Sequence, residues 1–196
     1  IKIKIKIKIK TSGGSKMKKK CVVFMDFDGP LFSSRALMLP QNNEYAEYFL
    51  NELNLNPLVS YWYADPVAVS MLNQLMKVRS FEIVISNNWA NNELHKKEDI
   101  MGLLEKNNLT IPLHNAWKTD VESDLSRPLQ ISKWLSKNQV DDYIIIDDNE
   151  SGMDFKNYAI LKEAKIPSEK VVLVNSQDGI LMNDFEKMKM IMQGWY

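Results

Sequence analysis

One cysteine, Cys21, stands in 196 residues, so no internal disulfide can form, and the two histidines, His95 and His114, have no cysteine or histidine neighbours at zinc-ligand spacing. Net charge is missing too: 25 basic residues balance 25 acidic ones, leaving no global field to draw the chain onto nucleic acid. No apolar run reaches the length of a bilayer span, and no short basic stretch leads into a purely apolar one as in a signal peptide. These absences predict a protein of the reducing cytoplasm with no membrane role and no obligate protein partner. What is present, 45% hydrophobic and 26% charged residues, suffices to bury one substantial core.

Ile1 to Lys10 alternate isoleucine and lysine without a break, and Thr11-Ser12-Gly13-Gly14-Ser15 follows. Such low complexity reads as a fusion tag and linker over residues 1–16, in preference to a natural basic arm. Residues 17–196 then form a single domain starting at Met17, with a small insertion at about 30–65.

Beyond Met17, strand-like and helix-like segments alternate, as in a parallel sheet covered on both faces. Cys21-Val22-Val23-Phe24-Met25 is too uniformly apolar to have a wet face and predicts a central strand. Further strands are expected at Phe81 to Ile85, Thr110 to Leu113, Tyr143 to Ile146 and Val171 to Val174. Helices are expected at Asn43 to Leu53, Val67 to Lys77 (capped by Asp65, with Pro66 first), Glu93 to Lys106, from Ser126-Arg127-Pro128 to about Ser136, Phe155 to Ala164, and Asn183 to Met192. The fold class is α/β, a Rossmann-like three-layer sandwich with a mainly parallel central sheet and a small or minimal cap.

In such a sheet, ligands bind beyond the carboxyl ends of the strands, so polar residues directly after apolar strands are candidates. Asp26-Phe27-Asp28-Gly29-Pro30 places two carboxylates two residues apart, with Gly29 permitting a sharp turn. Asp147-Asp148 ends another buried strand. Carboxylates brought together from two strands repel unless a cation intervenes, and a hard divalent ion with oxygen ligands relieves that repulsion, magnesium being the natural candidate. Ser86-Asn87-Asn88 supplies a small hydroxyl that can hydrogen-bond a phosphoryl oxygen, and Arg127 on the first turn of a helix places a cation toward the same crevice. Lys133, two turns on, starts roughly 9 Å further from the helix start. Each feature alone has an ordinary explanation as a turn, cap or solvated surface residue.

In this order, an apolar strand ending in DxDG, a strand ending in serine, a basic residue before proline and a strand ending in DD resemble the haloacid dehalogenase superfamily. Val84-Ile85-Ser86-Asn87-Asn88-Trp89, Gln130 to Leu135 and Gln177-Asp178-Gly179-Ile180-Leu181 resemble more narrowly its Swiss-army-knife RNA-repair branch. Pro30 stands where threonine or valine is usual, Arg127 where lysine is usual, and Ala90 where the branch has arginine. The resemblance implies a magnesium-dependent phosphomonoesterase. Asp26 would be the nucleophile and Asp28 the general acid and base. Ser86, Asn87 and Arg127 would hold the phosphoryl oxygens, and Asp26, the main-chain carbonyl of Asp28, Asp147 and Asp148 would hold the metal. The expected substrate is a phosphorylated small molecule such as a nucleotide, or a nucleic-acid end, on whose bases Tyr61-Trp62-Tyr63 would stack if they are not core. A phosphotransferase or phosphomutase would share every one of these residues, and a non-catalytic phosphate-binding module is the remaining alternative.

Overall fold

A computed structural model describes residues 20–43, 63–86, 96–120, 125–148 and 154–195. Five strands, β1 (Cys21–Met25), β2 (Glu82–Ile85), β3 (Leu113–Lys118), β4 (Asp142–Asp147) and β5 (Val171–Leu173), form one all-parallel sheet in the order β3-β2-β1-β4-β5. β1 is central because every residue in it is apolar and buried. Val23 and Met25 face one core, and Val22 and Phe24 the other.

Helices cover both faces. The Met25 side is packed by α2 (Pro66–Val78), α3 (Lys97–Lys106) and α6 (Met182–Gln193) through Leu72, Leu75, Ile100, Leu103, Phe185 and Met188. The Phe24 side is packed by α4 (Arg127–Lys137) and α5 (Tyr158–Glu163). There Trp134 meets the Phe24 ring edge-on at 5.1 Å, and its indole N–H donates to the Ala116 carbonyl at 2.9 Å. No helix among the described residues is long and apolar enough to cross a membrane.

Asp65 caps α2 as its sequence predicts, Oδ1 accepting from the Val67 amide at 2.8 Å with Pro66 in the first turn. Its other carboxylate oxygen accepts from Arg35 Nε at 2.7 Å, on the short α1 (Ser34–Leu37). Asn42, fully buried, donates to the carbonyls of Ala36 and Tyr63 at 2.8 Å each and accepts from the Tyr63 amide at 3.0 Å. The chain on either side of 44–62 is thereby tied together. All but Asn43 of the expected helix at Asn43 to Leu53 lies outside the described residues, as do Tyr61 and Trp62; Tyr63 carries the Lys106 ammonium 4.0 Å over its ring.

Three expectations need correction. The strand expected at Thr110 to Leu113 begins at Leu113 and runs to Lys118. Pro112 has no amide hydrogen to donate, its carbonyl accepts from Ile83 at 2.8 Å, and the half-exposed edge that follows carries little apolar alternation to announce it. The helix expected at Phe155 to Ala164 is split. Asp154–Lys156 form a 3₁₀ turn, and Asn157 caps a separate α5 by accepting from the Ala159 amide at 3.0 Å. Finally, Ser126 occupies the cap position of α4 without using its hydroxyl there; Asp154 Oδ2 accepts from the Arg127 amide instead, at 3.2 Å.

Candidate active site

Main-chain bonds carry the sheet one residue past its strands. Asp26 donates to the Ile146 carbonyl at 2.9 Å, Ser86 to Met25 at 3.1 Å, Thr119 to Ile85 at 3.0 Å and Val174 to Asp147 at 2.9 Å. Thr119, Ser86, Asp26 and Asp147 thus form a polar row along four adjacent chains at the carboxyl edge, and all four are buried. These bonds set where the main chain of Asp26 and Asp147 stands at that edge.

α4 delivers Arg127. Its Nη1 donates to Asp26 Oδ2 and, at 2.5 Å, to Asp147 Oδ2, so one nitrogen bridges the ends of β1 and β4. Burial works against the charged guanidinium, but Asp26 and Asp147 outweigh it and push the Arg127 pKa above its ordinary value. Arg127 therefore remains a fixed cation inside the crevice.

Asp148 completes the acidic group. Carboxylate oxygens of Asp26, Asp147 and Asp148 all lie within 4.8 Å of one another. Gly29, at φ +77°, leaves the space that Asp148 fills: a Cβ there would come within 2.4 Å of Asp148 Oδ2. Three carboxylates with Arg127 bridging two of them hold an excess of negative charge, and an all-oxygen donor set suits a hard divalent cation. The residues present fit a metal ion.

Asp28 is placed differently from Asp26. The strand ends at Met25, and the amides of Leu31 and Phe32 both close on the Phe27 carbonyl, at 3.0 and 2.9 Å. This turn buries Asp26 and leaves Asp28 exposed, so the period-two reading of the pair stops with the strand. The Asp28 carboxylate is not among the three that cluster, and the expected metal contact through its main-chain carbonyl does not require it to be. Asn87, with Asn88, Trp89 and Ala90, lies outside the described residues. Lys133 is half-buried further along α4.

The stretch Gln177 to Leu181 gains a structural reason. The carbonyls of Ser176 and Gln177 accept from the amides of Ser34 and Arg35 at 3.1 and 2.9 Å. Gly179, at φ +70°, sits where a Cβ would press on Ser33 and the Pro30 carbonyl at 3.2–3.3 Å. It buttresses the turn that follows Asp26. Thr119 was missed by the sequence reading, because the β3 edge strand leading to it carries no apolar run to mark its end.

An all-parallel sheet ordered 3-2-1-4-5, with acids at the ends of its two central strands, defines a haloacid-dehalogenase-like (HAD-like) Rossmannoid domain. Residues 22–185 match the family model described as the HAD domain in Swiss Army Knife RNA repair proteins, and the chain belongs to that family. No curated protein and no solved structure matches it.

Proposed function

We propose that the protein is a magnesium-dependent phosphomonoesterase acting on nucleotides or nucleic-acid terminal phosphates through an aspartyl-phosphate. The observation that carries this reading is Arg127 bridging Asp26 and Asp147 beside Asp148: a nucleophile-sized carboxylate, a fixed cation and a metal-suited acid group in one crevice. Haloacid dehalogenase domains are typically phosphohydrolases, and the family name points to nucleic-acid ends.

Asp26 attacks phosphorus as the ester oxygen departs, and Asp28, exposed on the following turn, gives that oxygen its proton. Water then attacks the aspartyl-phosphate, losing a proton to Asp28 and returning Asp26 as a carboxylate with release of inorganic phosphate. Arg127 and Ser86 hold the non-bridging oxygens through the transfer. Asp26, the Asp28 carbonyl, Asp147 and Asp148 would hold the magnesium, which supplies charge neutralisation at the transferring group.

The test is phosphate release with magnesium from nucleotides, sugar phosphates and 3′- or 5′-phosphorylated oligonucleotides. Release should stop in excess chelator and return with magnesium. Asp26→Asn, nearly isosteric, should fold normally and retain less than about a hundredth of wild-type turnover. Turnover above that level, or full activity in chelator, overturns the reading.

A further inference from the structure

Arg127 reaches the acids that a metal ion would use. Its Nη1 donates to Oδ2 of Asp26 and, at 2.5 Å, to Oδ2 of Asp147. Oxygens of the same two carboxylates, with one of Asp148, lie within 4.8 Å of one another. Two of the three acids suited to a metal therefore have an oxygen committed to a guanidinium. The side chains of Arg127, Asp26 and Asp147 are only 11%, 5% and 1% exposed, so solvent screens these charges little.

Buried carboxylates this close repel, and either a guanidinium or a divalent ion relieves the repulsion. The two cations interfere with each other. Magnesium binds at about 2.1 Å from each ligand oxygen, so an ion on Asp26 and Asp147 stands a few ångströms from a nitrogen held by the same carboxylates. Like charges at that separation repel strongly where water is scarce. Arginine does not lose its proton in proteins, so Arg127 relieves the conflict only by moving. A phosphoryl group gives it somewhere to go, since its several anionic oxygens match the guanidinium fork.

We infer that Arg127 couples metal binding to phosphoryl binding: it occupies Asp26 and Asp147 in competition with the divalent ion, and a phosphoryl group that takes the guanidinium releases both acids. The site then holds the ion weakly alone and tightly together with phosphate, a positive coupling carried by one side chain. The inference rests on the proposed assignment of Arg127 to the phosphoryl oxygens and adds to it a second consequence of the same movement.

The experiment reads binding, not turnover. Magnesium is titrated calorimetrically into the full chain near neutral pH, with and without inorganic phosphate, free magnesium being corrected for its phosphate complex. Arg127→Gln removes the charge, Arg127→Ala is the second neutral variant should glutamine not fold, and Arg127→Lys keeps the charge. Without phosphate, the neutral variant should bind magnesium about tenfold tighter than wild type, within the usual range of coupling between two ligands. Arg127→Lys should stay within about threefold of wild type, because its ammonium still competes. Phosphate should raise the wild-type affinity by about tenfold. A neutral variant that binds magnesium no tighter than wild type overturns the inference, as does a lysine variant as tight as the neutral one, or a wild type indifferent to phosphate. Each of these leaves the phosphatase reading to stand on phosphate release. Should neither neutral variant fold, nitrogen-15 NMR of the wild type decides. The Arg127 guanidinium signal, assigned by its loss in Arg127→Lys, should shift when magnesium and phosphate are added together, and an unmoved signal overturns the inference. Magnesium bound by no form of the protein removes the metal from the proposed function and the inference with it. The expected binding pattern without phosphate release from any ester upholds the inference and overturns hydrolysis alone.

Discussion

Replacing Arg127 with alanine would leave Asp26 and Asp147, both buried, facing each other across the end of the sheet without the guanidinium that bridges them. Uncompensated buried charge is among the costliest consequences of a single substitution, and the same guanidinium is the proposed partner of the transferring phosphoryl group. Arg127→Ala should lower turnover by about 100- to 1,000-fold in steady-state phosphate release. Because a single nitrogen makes both contacts, an ammonium can replace part of what it does, so Arg127→Lys should retain intermediate activity. Lys133→Ala should stay within a few-fold of wild type, its base lying roughly 9 Å along the helix. A dead Lys133 variant beside a mild Arg127 variant would reverse the assignment.

α4 is the element that aims this cation, and its first turn is held from outside. Asp154 accepts from the Arg127 amide, and its carboxylate also lies at the favourable end of the helix dipole. Ser126, in the position that the sequence marks as the cap, keeps its hydroxyl buried and without a partner among the described residues. Asp154→Ala should therefore destabilise by about 1 kcal/mol, while Ser126→Ala should be neutral or slightly stabilising. Urea denaturation of both variants checks the order, and a larger loss for Ser126→Ala would return the cap to the serine.

Across the whole molecule, charge is divided between the two ends of the sheet. At the end opposite the acidic group, Asp142 opens β4 and accepts from Arg79 at 2.5 Å and Lys170 at 2.7 Å, joining the end of α2 to the turn before β5. Cys21, its register neighbour on β1, has its thiol pushed up to about 11 by burial and is inert there. Burial opposes ionisation of Asp142, but Lys170 and Arg79 outweigh it and hold the carboxyl below its ordinary 3.8. A depressed carboxyl contributes stability that is fully present above the unfolded pKa and is lost as pH falls through the lower folded one. Asp142→Asn should cost about 2 kcal/mol near pH 7, and the gap from wild type should close below about pH 3.8 as the wild-type carboxyl protonates. Denaturation midpoints across that range measure it, and a gap independent of pH would show that charge is not the cause.

β1, β2 and β4 could be located from residues alone because a strand buried on both faces must be apolar throughout, and the acids or serine that close it mark the carboxyl edge where ligands sit. Asp26, Ser86, Asp147 and Asp148 were legible for that reason, and the starts of α2 and α4 at Pro66 and Arg127 were legible from a polar residue followed by proline in the first turn. Where neighbours in space rather than in sequence decide, composition is silent. β3 is a half-exposed edge, Thr119 takes its place from the Ile85 carbonyl on another strand, and Asp154 caps a helix 27 residues before it. Gly29 and Gly179 are required by Asp148 and Ser33, which only the folded chain brings against them. Local pattern records which surfaces must be buried; which partner each buried polar atom meets is a property of the packing, since hydrogen bonds and ion pairs close over distances that the order of residues does not measure.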